Sequence, residues 1–192
     1  MMPRQTDNVR ALILMLALAI PGAAIAQSTP ETFSATAQVK GAGGGAASAP
    51  VTIVVDRKMP QTETDKYLAA FKSGGAAALR KALAGVPNTG SVRVGSAGAP
   101  VPTRLTLERS TGKGRLLTIV TDQPIMFLGA GQPGAKPKEG YDFGIIDLEV
   151  DEAGNGVGSI APAAKVTVKQ GVFVVDDYSA EFIKLAGVKK AK

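Results

Sequence analysis

The 192-residue chain contains no cysteine, no histidine and no tryptophan, and only 5% of its residues are aromatic. Without cysteine there is no disulfide and no thiol nucleophile. Without histidine, serine–histidine–aspartate catalysis, cysteine–histidine catalysis and histidine-based zinc sites are all excluded. An enzyme built from this chain would have to use carboxylates, or serine with lysine. The composition therefore favours a protein that is not an enzyme and that carries neither a metal nor a cofactor.

The N-terminus has the pattern of an export signal. Arg4 and Arg10 precede a ten-residue apolar run, and the small residues Ala24 and Ala26 follow it at the spacing that a signal peptidase accepts. We therefore expect residues 1–26 to be a signal peptide, cleaved after Ala26. Because a bilayer-spanning helix needs about 20 apolar residues, we expect no membrane span in the mature chain. The absence of cysteine and of N-x-[ST] acceptors suits a bacterial periplasmic or secreted protein.

The formal net charge is +6. Much of the excess lies at the C-terminus, where Lys184, Lys189, Lys190 and Lys192 predict a solvated, flexible tail. No basic helix with interleaved aromatics is present, so nucleic acid is not expected as a partner. Attraction to anionic envelope polymers stays open. The scarcity of aromatics also disfavours an outer-membrane barrel, whose interfaces need aromatic girdles.

The chain divides into an N-terminal segment, residues 27–50, and a single β-rich domain, residues 51–192. The first contains a candidate strand and a Gly/Ala-rich linker. In the second, the β-branched run Val51–Val55 predicts an early strand. Two short helices should follow, the first starting with a capping box at Thr62 and ending at Gly74-Gly75.

The rest of the sequence consists of short alternating runs separated by turn residues. Thr111 to Gly114 reads as a hairpin loop, and Ile146, Leu148 and Val150 alternate with acidic residues as in a strand with one wet face. No β-α-β alternation occurs. We therefore predict a mainly β (α+β) fold, an antiparallel sandwich or partial barrel with two short helices after the early strand.

A Gly-x-Gly-x-x-Gly string begins at Gly129 and matches the dinucleotide-binding fingerprint. That fingerprint needs a helix to start within it, and Pro133 and Pro137 prevent one. We interpret it as a glycine-rich loop.

Carboxylates at strand ends are the remaining candidates for a site. Asp122 follows a buried strand in a turn, and Asp176 and Asp177, with Tyr178, follow a fully apolar run. Loops at strand ends commonly carry function, so we predict that these four residues form a binding rim. Because adjacent residues on a strand point to opposite faces, Asp176 and Asp177 are not expected to converge as a catalytic pair.

From Val51 onward the chain resembles a family of uncharacterised exported bacterial proteins. The resemblance implies export and a single intact domain, and it supplies no catalytic residue. The segments that carry it are VTIVVDRKMP, AALRKALAGVPNTGSVRVG, GRLLTIVTDQPIMF and AAKVTVKQGVFVVDDYSAEFIKLAGVKK.

Three functions follow as expectations. The first is a non-catalytic exported domain that binds a small apolar or amphipathic ligand or another envelope component. The second is a carboxylate-dependent hydrolase centred on Asp122, Asp176 and Asp177. The third is a purely structural envelope protein. An apolar cavity would favour the first, and two carboxylates converging in a cleft would favour the second. The sequence leaves the oligomeric state open.

Overall fold

A computed structural model describes residues 29–40, 46–125, 139–169, 172–177 and 183–192. These residues form one helix and nine strands. In chain order the elements are β1 (Glu31–Lys40), β2 (Ala46–Val55), α1 (Gln61–Ala84), β3 (Gly90–Val94), β4 (Val101–Thr111), β5 (Gly114–Thr121), β6 (Phe143–Val150), β7 (Asn155–Lys169), β8 (Val172–Asp177) and β9 (Ile183–Lys190).

Eight of the strands close into an antiparallel barrel. The order around the barrel is β1, β2, β3, β4, β5, β6, β7 and β9, and β9 returns to pair with β1. The pairing of β6 with β7 closes the ring, so the sheet is a complete barrel and not the partial one that the sequence left as an alternative. The prediction of a mainly β, antiparallel fold is confirmed.

The fifteen-residue strand β7 serves two roles. Its first half, from Asn155 to Ile160, lies between β6 and β9 in the barrel wall. Its second half continues past β9 and pairs with β8, from Ala164 opposite Asp177 to Lys169 opposite Val172. The β7–β8 hairpin therefore extends the wall beyond the ring of eight strands.

The barrel interior is filled by the chain's own side chains. Successive residues of a strand point to opposite faces, so alternate apolar residues of each strand enter the barrel. An eight-stranded barrel is just wide enough for such side chains to meet at its centre. The largest fully buried members of this cluster are Phe33, Ile53, Leu117, Ile119, Ile125, Ile146, Leu148, Ile160 and Leu185.

The helix α1 lies on the outside of the barrel. Phe71, Leu79 and Leu83 of the helix pack against outward-facing residues of β4 to β7 in a second hydrophobic cluster, which includes Leu105 and Phe143. The opposite wall, formed by β9, β1, β2 and β3, has no helix against it in the described part of the chain.

The helix differs in detail from the sequence prediction. Its two predicted halves are one element, interrupted where Gly74 and Gly75 leave helical geometry, Gly75 with φ of 65°. The helix begins at Gln61 with Pro60 as its N-cap, and no side chain caps it, so the predicted capping box at Thr62 was wrong. The glycine pair is thus a kink that keeps both halves against the curved barrel.

Two segments that the sequence placed outside the main fold belong to the barrel. β1 pairs with both β2 and β9, and residues 46–50 of the predicted linker are the first half of β2. Lys184, Lys189 and Lys190, expected in a flexible tail, lie in β9. The barrel thus begins well before Val51.

One end of the barrel is filled by the segment after β5. Ile125 enters the interior cluster, and its backbone N–H donates to the carbonyl of Pro162 at 2.8 Å. Glycine is required at position 144 beneath it, because a Cβ there would lie 2.6 Å from both Ile125 Cγ1 and Thr121 Oγ1.

Candidate functional site

The other end of the barrel carries charged residues at inward-facing positions. On β1 the buried positions alternate through Ala37, Ala35 and Phe33, and the next one is Glu31. On β5 the same alternation runs from Leu117 to Arg115. Strand periodicity therefore directs these two charged side chains into the mouth of the barrel, where the apolar layers end.

Five residues form a charged cluster there: Glu31, Lys58, Glu108, Arg115 and Lys190. The Glu31 carboxylate accepts bonds from Arg115 Nη2 at 2.7 Å, Lys190 Nζ at 2.6 Å and Lys58 Nζ at 3.0 Å. Glu108 shares Lys58 and Arg115 with it, and Arg115 Nη1 lies 2.9 Å from Glu108. The cluster ties β1, β4, β5, β9 and the segment after β2 together at one point.

The chain after β2 explains how Lys58 reaches this cluster. β3 begins at Gly90, opposite Thr103 of β4, so it does not lie beside the second half of β4. The segment that follows β2 occupies that position, and the N–H of Met59 donates to the Thr106 carbonyl at 2.8 Å. Thr106 faces the interior two residues before Glu108 on β4. Lys58 is thereby held beside Glu108, and its ammonium bridges the two carboxylates.

The cluster keeps both carboxyl groups ionised. Burial alone would raise the pKa of Glu31, but hydrogen bonds from Arg115, Lys190 and Lys58 outweigh it and lower its pKa to about 2. For Glu108, burial is likewise outweighed by Lys58 and Arg115, and its pKa lies below the ordinary value. Glu31 is only 5% exposed, so its ionised form depends on these cations.

A cleft of about 750 Å³ opens beside the cluster, between the β4–β5 hairpin and the β6–β7 hairpin. Its volume is within the range of small-molecule sites. Oxygen and nitrogen groups dominate its surface, and it has no aromatic side chain. The residues that line it are Glu108, Ser110, Thr111, Gly112, Lys113, Gly114, Arg115, Asp151, Glu152 and Ala153.

Three groups of residues that line the cleft have no partner among the described residues. Lys113, on one hairpin, and Glu152, on the other, form no ion pair within the described ranges. The hydroxyl Oγ1 of Thr111 is buried and makes no hydrogen bond to the described residues. An unsatisfied buried hydroxyl costs free energy unless a ligand or water supplies its partner. The cleft can therefore hold a polar ligand between the ammonium group of Lys113 and the carboxylate of Glu152.

The predicted rim residue Asp122 lies far from this cleft, at the Ile125 end of the barrel. Its carboxylate accepts a bond from Arg104 Nε at 2.9 Å. Arg104 also donates to the Val86 carbonyl at 3.0 Å and to Asn88 Oδ1 at 2.6 Å. Asp122 thus helps to fasten the segment after α1 to β4, which is a structural role.

The other rim residues are described only in part. Asp176 and Asp177 end β8, opposite Lys165 and Ala164 of β7. Tyr178 and the glycine-rich loop from Gly129 lie outside the described residues. The structure therefore places Asp122 and β8 at the same end of the barrel, and the binding rim of these four residues stays a prediction.

The charged cluster was missed by sequence reasoning. Its members are separated by up to about 160 positions in the chain, from Glu31 to Lys190. Glu31 lies two residues before Phe33, so the strand alternation that buries Phe33 also directs Glu31 inward, and this spacing was the signal available in the sequence. The cations that pair with Glu31 could be identified only once the order of the strands around the barrel was known.

Within the described ranges, no group of three or more histidine, cysteine, aspartate or glutamate side chains is arranged to hold a metal ion. No helix in the same part of the chain is long and apolar enough to cross a membrane. No family model, curated protein or solved structure matches this chain.

Proposed function

We propose that this chain is an exported bacterial domain that binds a polar envelope component in the cleft and catalyses no reaction. Export to the periplasm or the medium rests on the leader pattern ending at Ala26 and on the resemblance to exported proteins. The binding function rests on the geometry of the cleft. The observation that carries it is the presence, in one concave surface, of Lys113 and Glu152, neither of which forms an ion pair with the described residues.

The cleft combines a fixed floor with free groups on its sides. Glu108 and Arg115, which form the floor, are held in place by ion pairs of the charged cluster. Their side chains therefore lose little conformational freedom when a ligand binds. Lys113 and Glu152 stand on opposite hairpins and offer one charge of each sign. A ligand that carries both an anionic and a cationic or hydroxyl group would satisfy them together.

The filled interior favours an envelope component over a small apolar ligand. Side chains from opposite walls, among them Phe33, Leu117 and Leu185, meet in one continuous cluster. An apolar ligand inside this layer would have to displace them. The lining of the cleft, by contrast, has Ala153 as its one apolar side chain larger than glycine.

A hydrolase is less well supported. A carboxylate pair that hydrolyses glycosides needs one carboxyl group whose pKa is raised, so that it can donate a proton at neutral pH. The two carboxylates that approach each other through shared cations are Glu31 and Glu108, and both have lowered pKa values. Asp122 is engaged with Arg104.

The test is an NMR titration of the isotope-labelled mature protein with a soluble extract of its own cell envelope. Amide signals of residues 110–114 and 151–153 should shift, and the double variant K113Q/E152Q should abolish the shifts. The control K66Q/E139Q changes one cation and one carboxylate that are exposed elsewhere. Shifts that persist in K113Q/E152Q, or that fall outside the two hairpins, contradict the proposal.

A further inference from the structure

The side of the barrel opposite α1 has a distinctive surface, which we call the open wall. It consists of the outward-facing residues of β9, β1, β2 and β3. These positions alternate with the buried residues of the interior cluster and are exposed or half-buried. The open wall contains Thr32, Ser34, Thr36, Gln38, Ser48, Pro50, Thr52, Val54, Ser91, Arg93, Lys184, Ala186 and Lys189.

The strand register arranges the open wall into rows. One row runs across four strands from Arg93 through Thr52 and Ser34 to Lys189, with a cation at each end and two hydroxyl groups between them. At strand spacings of 4.7–4.9 Å its end residues are roughly 14 Å apart, measured between Cα atoms. The surface therefore offers cations and hydrogen-bonding groups in a regular array.

A second row, parallel to the first, runs from Lys184 through Gln38 to Ser48. Gln38 lies four residues after Ser34 on β1, so the rows are separated by roughly 13 Å. Again a cation ends the row, and an amide and a hydroxyl follow it. The two rows together cover one continuous area of the barrel wall.

The charge of the open wall has one sign. Arg93, Lys184 and Lys189 are exposed and form no ion pair within the described part of the chain. No carboxylate occupies any of its positions on these four strands, and Asp56 follows the last residue of β2 outside both rows. The chain as a whole has 16 acidic residues, so the open wall is a local cationic surface. Unpaired cations without neighbouring carboxylates attract polyanions.

We propose that the open wall is a docking surface for an anionic polysaccharide. The acid groups of such a polymer would meet the three cations, and its sugar hydroxyls would bond to the serine, threonine and glutamine side chains between them. A linear polymer can contact both rows at once, so several weak contacts add up. This site is separate from the cleft and does not depend on it.

The same residues fit a membrane or a nucleic acid poorly. Surface helices and faces that enter a lipid interface carry large apolar or aromatic anchors, and the open wall has only the half-buried Val54 among large apolar side chains. Non-specific binding of single-stranded nucleic acid uses aromatic side chains on which bases stack, and no aromatic residue is part of this surface.

Binding to polygalacturonate, with neutral dextran as the uncharged comparison, tests the proposal with the full mature chain at low and high salt. Polygalacturonate should bind at low salt and weaken as salt rises, and dextran should not bind. The wall variant R93Q/K184Q/K189Q should lose about tenfold or more in affinity, as expected from three exposed ionic contacts. The helix variant K66Q/K72Q/K81Q removes the same net charge from the opposite side and should bind like the wild type.

An equal loss of affinity in the two triple variants would overturn the proposal, because net charge and not the open wall would then explain binding. Binding to vesicles containing anionic lipid, with none to polygalacturonate, would overturn it as well. The cleft variant K113Q/E152Q should retain polygalacturonate binding, so this result is independent of the proposed cleft ligand.

Discussion

Replacement of Glu31 by glutamine removes the centre of the charged cluster. Glu31 is 5% exposed and accepts bonds from three cations. Its pKa falls from the ordinary value of 4.5 to about 2 in the folded chain. At 1.36 kcal/mol per pKa unit, this corresponds to about 3 kcal/mol of stabilisation at neutral pH. This value agrees with the loss of about 3–5 kcal/mol in the free energy of unfolding that typically follows removal of one partner from a buried ion pair. We expect Glu31→Gln to lower the free energy of unfolding by about 3 kcal/mol at pH 7.

The effect should depend on pH with a defined sign. The pKa of Glu31 is lower in the folded than in the unfolded chain, so its stabilisation is fully present above about 4.5 and is lost as the pH falls toward 2. The difference between wild type and Glu31→Gln should shrink to about 1.4 kcal/mol at pH 3. Below pH 2 the carboxyl group is protonated in both states, and the two proteins should have similar stability.

Urea unfolding at pH 7, 4 and 3, followed by circular dichroism, measures these differences directly. Glu152→Gln is the matched control, because Glu152 is exposed and has no ion-pair partner among the described residues, and its stability should stay within about 0.5 kcal/mol of wild type. A loss below about 1 kcal/mol for Glu31→Gln at pH 7, or a difference that does not change with pH, would refute the role of the charged cluster.

Two further substitutions test the opposite end of the barrel, each by urea unfolding at pH 7. Gly144→Ala should lower the free energy of unfolding by about 1–3 kcal/mol, because the new Cβ would lie 2.6 Å from Ile125 and Thr121. The control Gly112→Ala places no heavy atom within 4 Å of its Cβ and should be as stable as the wild type. Equal stability of the two variants would show that Ile125 does not occupy the interior. Arg104→Gln should lower the free energy of unfolding by about 1–2 kcal/mol, because the hydrogen bonds to Asp122, Asn88 and the Val86 carbonyl are lost. An unchanged free energy of unfolding would mean that these hydrogen bonds do not stabilise the fold.

The strands were largely predictable from the sequence, since local patterns determine them. Leu148 and Val150 alternate with acidic residues and are buried, and Thr111 to Gly114 forms the expected hairpin turn. The closure of the sheet was not predictable, because it depends on β9 pairing with β1 across almost the whole chain. Residues 46–50 were misjudged for a related reason. Their small side chains carry no strand signal, and β1 determines their extended conformation through pairing.

The candidate site was harder to predict than the fold. Sequence reasoning looked for carboxylates close together in the chain or at strand ends, and so selected Asp122, Asp176 and Asp177. The carboxylates that do share partners, Glu31 and Glu108, are 77 positions apart and meet only because their strands end at the same mouth. The positions of charged side chains along single strands do not reveal which other strands stand beside them.

The pairing of the first strand with the last has a consequence for the folding rate. Ser34 and Lys189 are 155 residues apart, and contacts of such separation form slowly because the loop between them must first be closed. Until β9 arrives, the other strands can form only an open sheet, with unpaired backbone groups along β1 and the first half of β7. Such edges recruit strands from other molecules. The docking of the eight-residue strand β9 therefore removes both exposed edges at once, and a chain in which β9 has not yet docked is open to pairing with other chains.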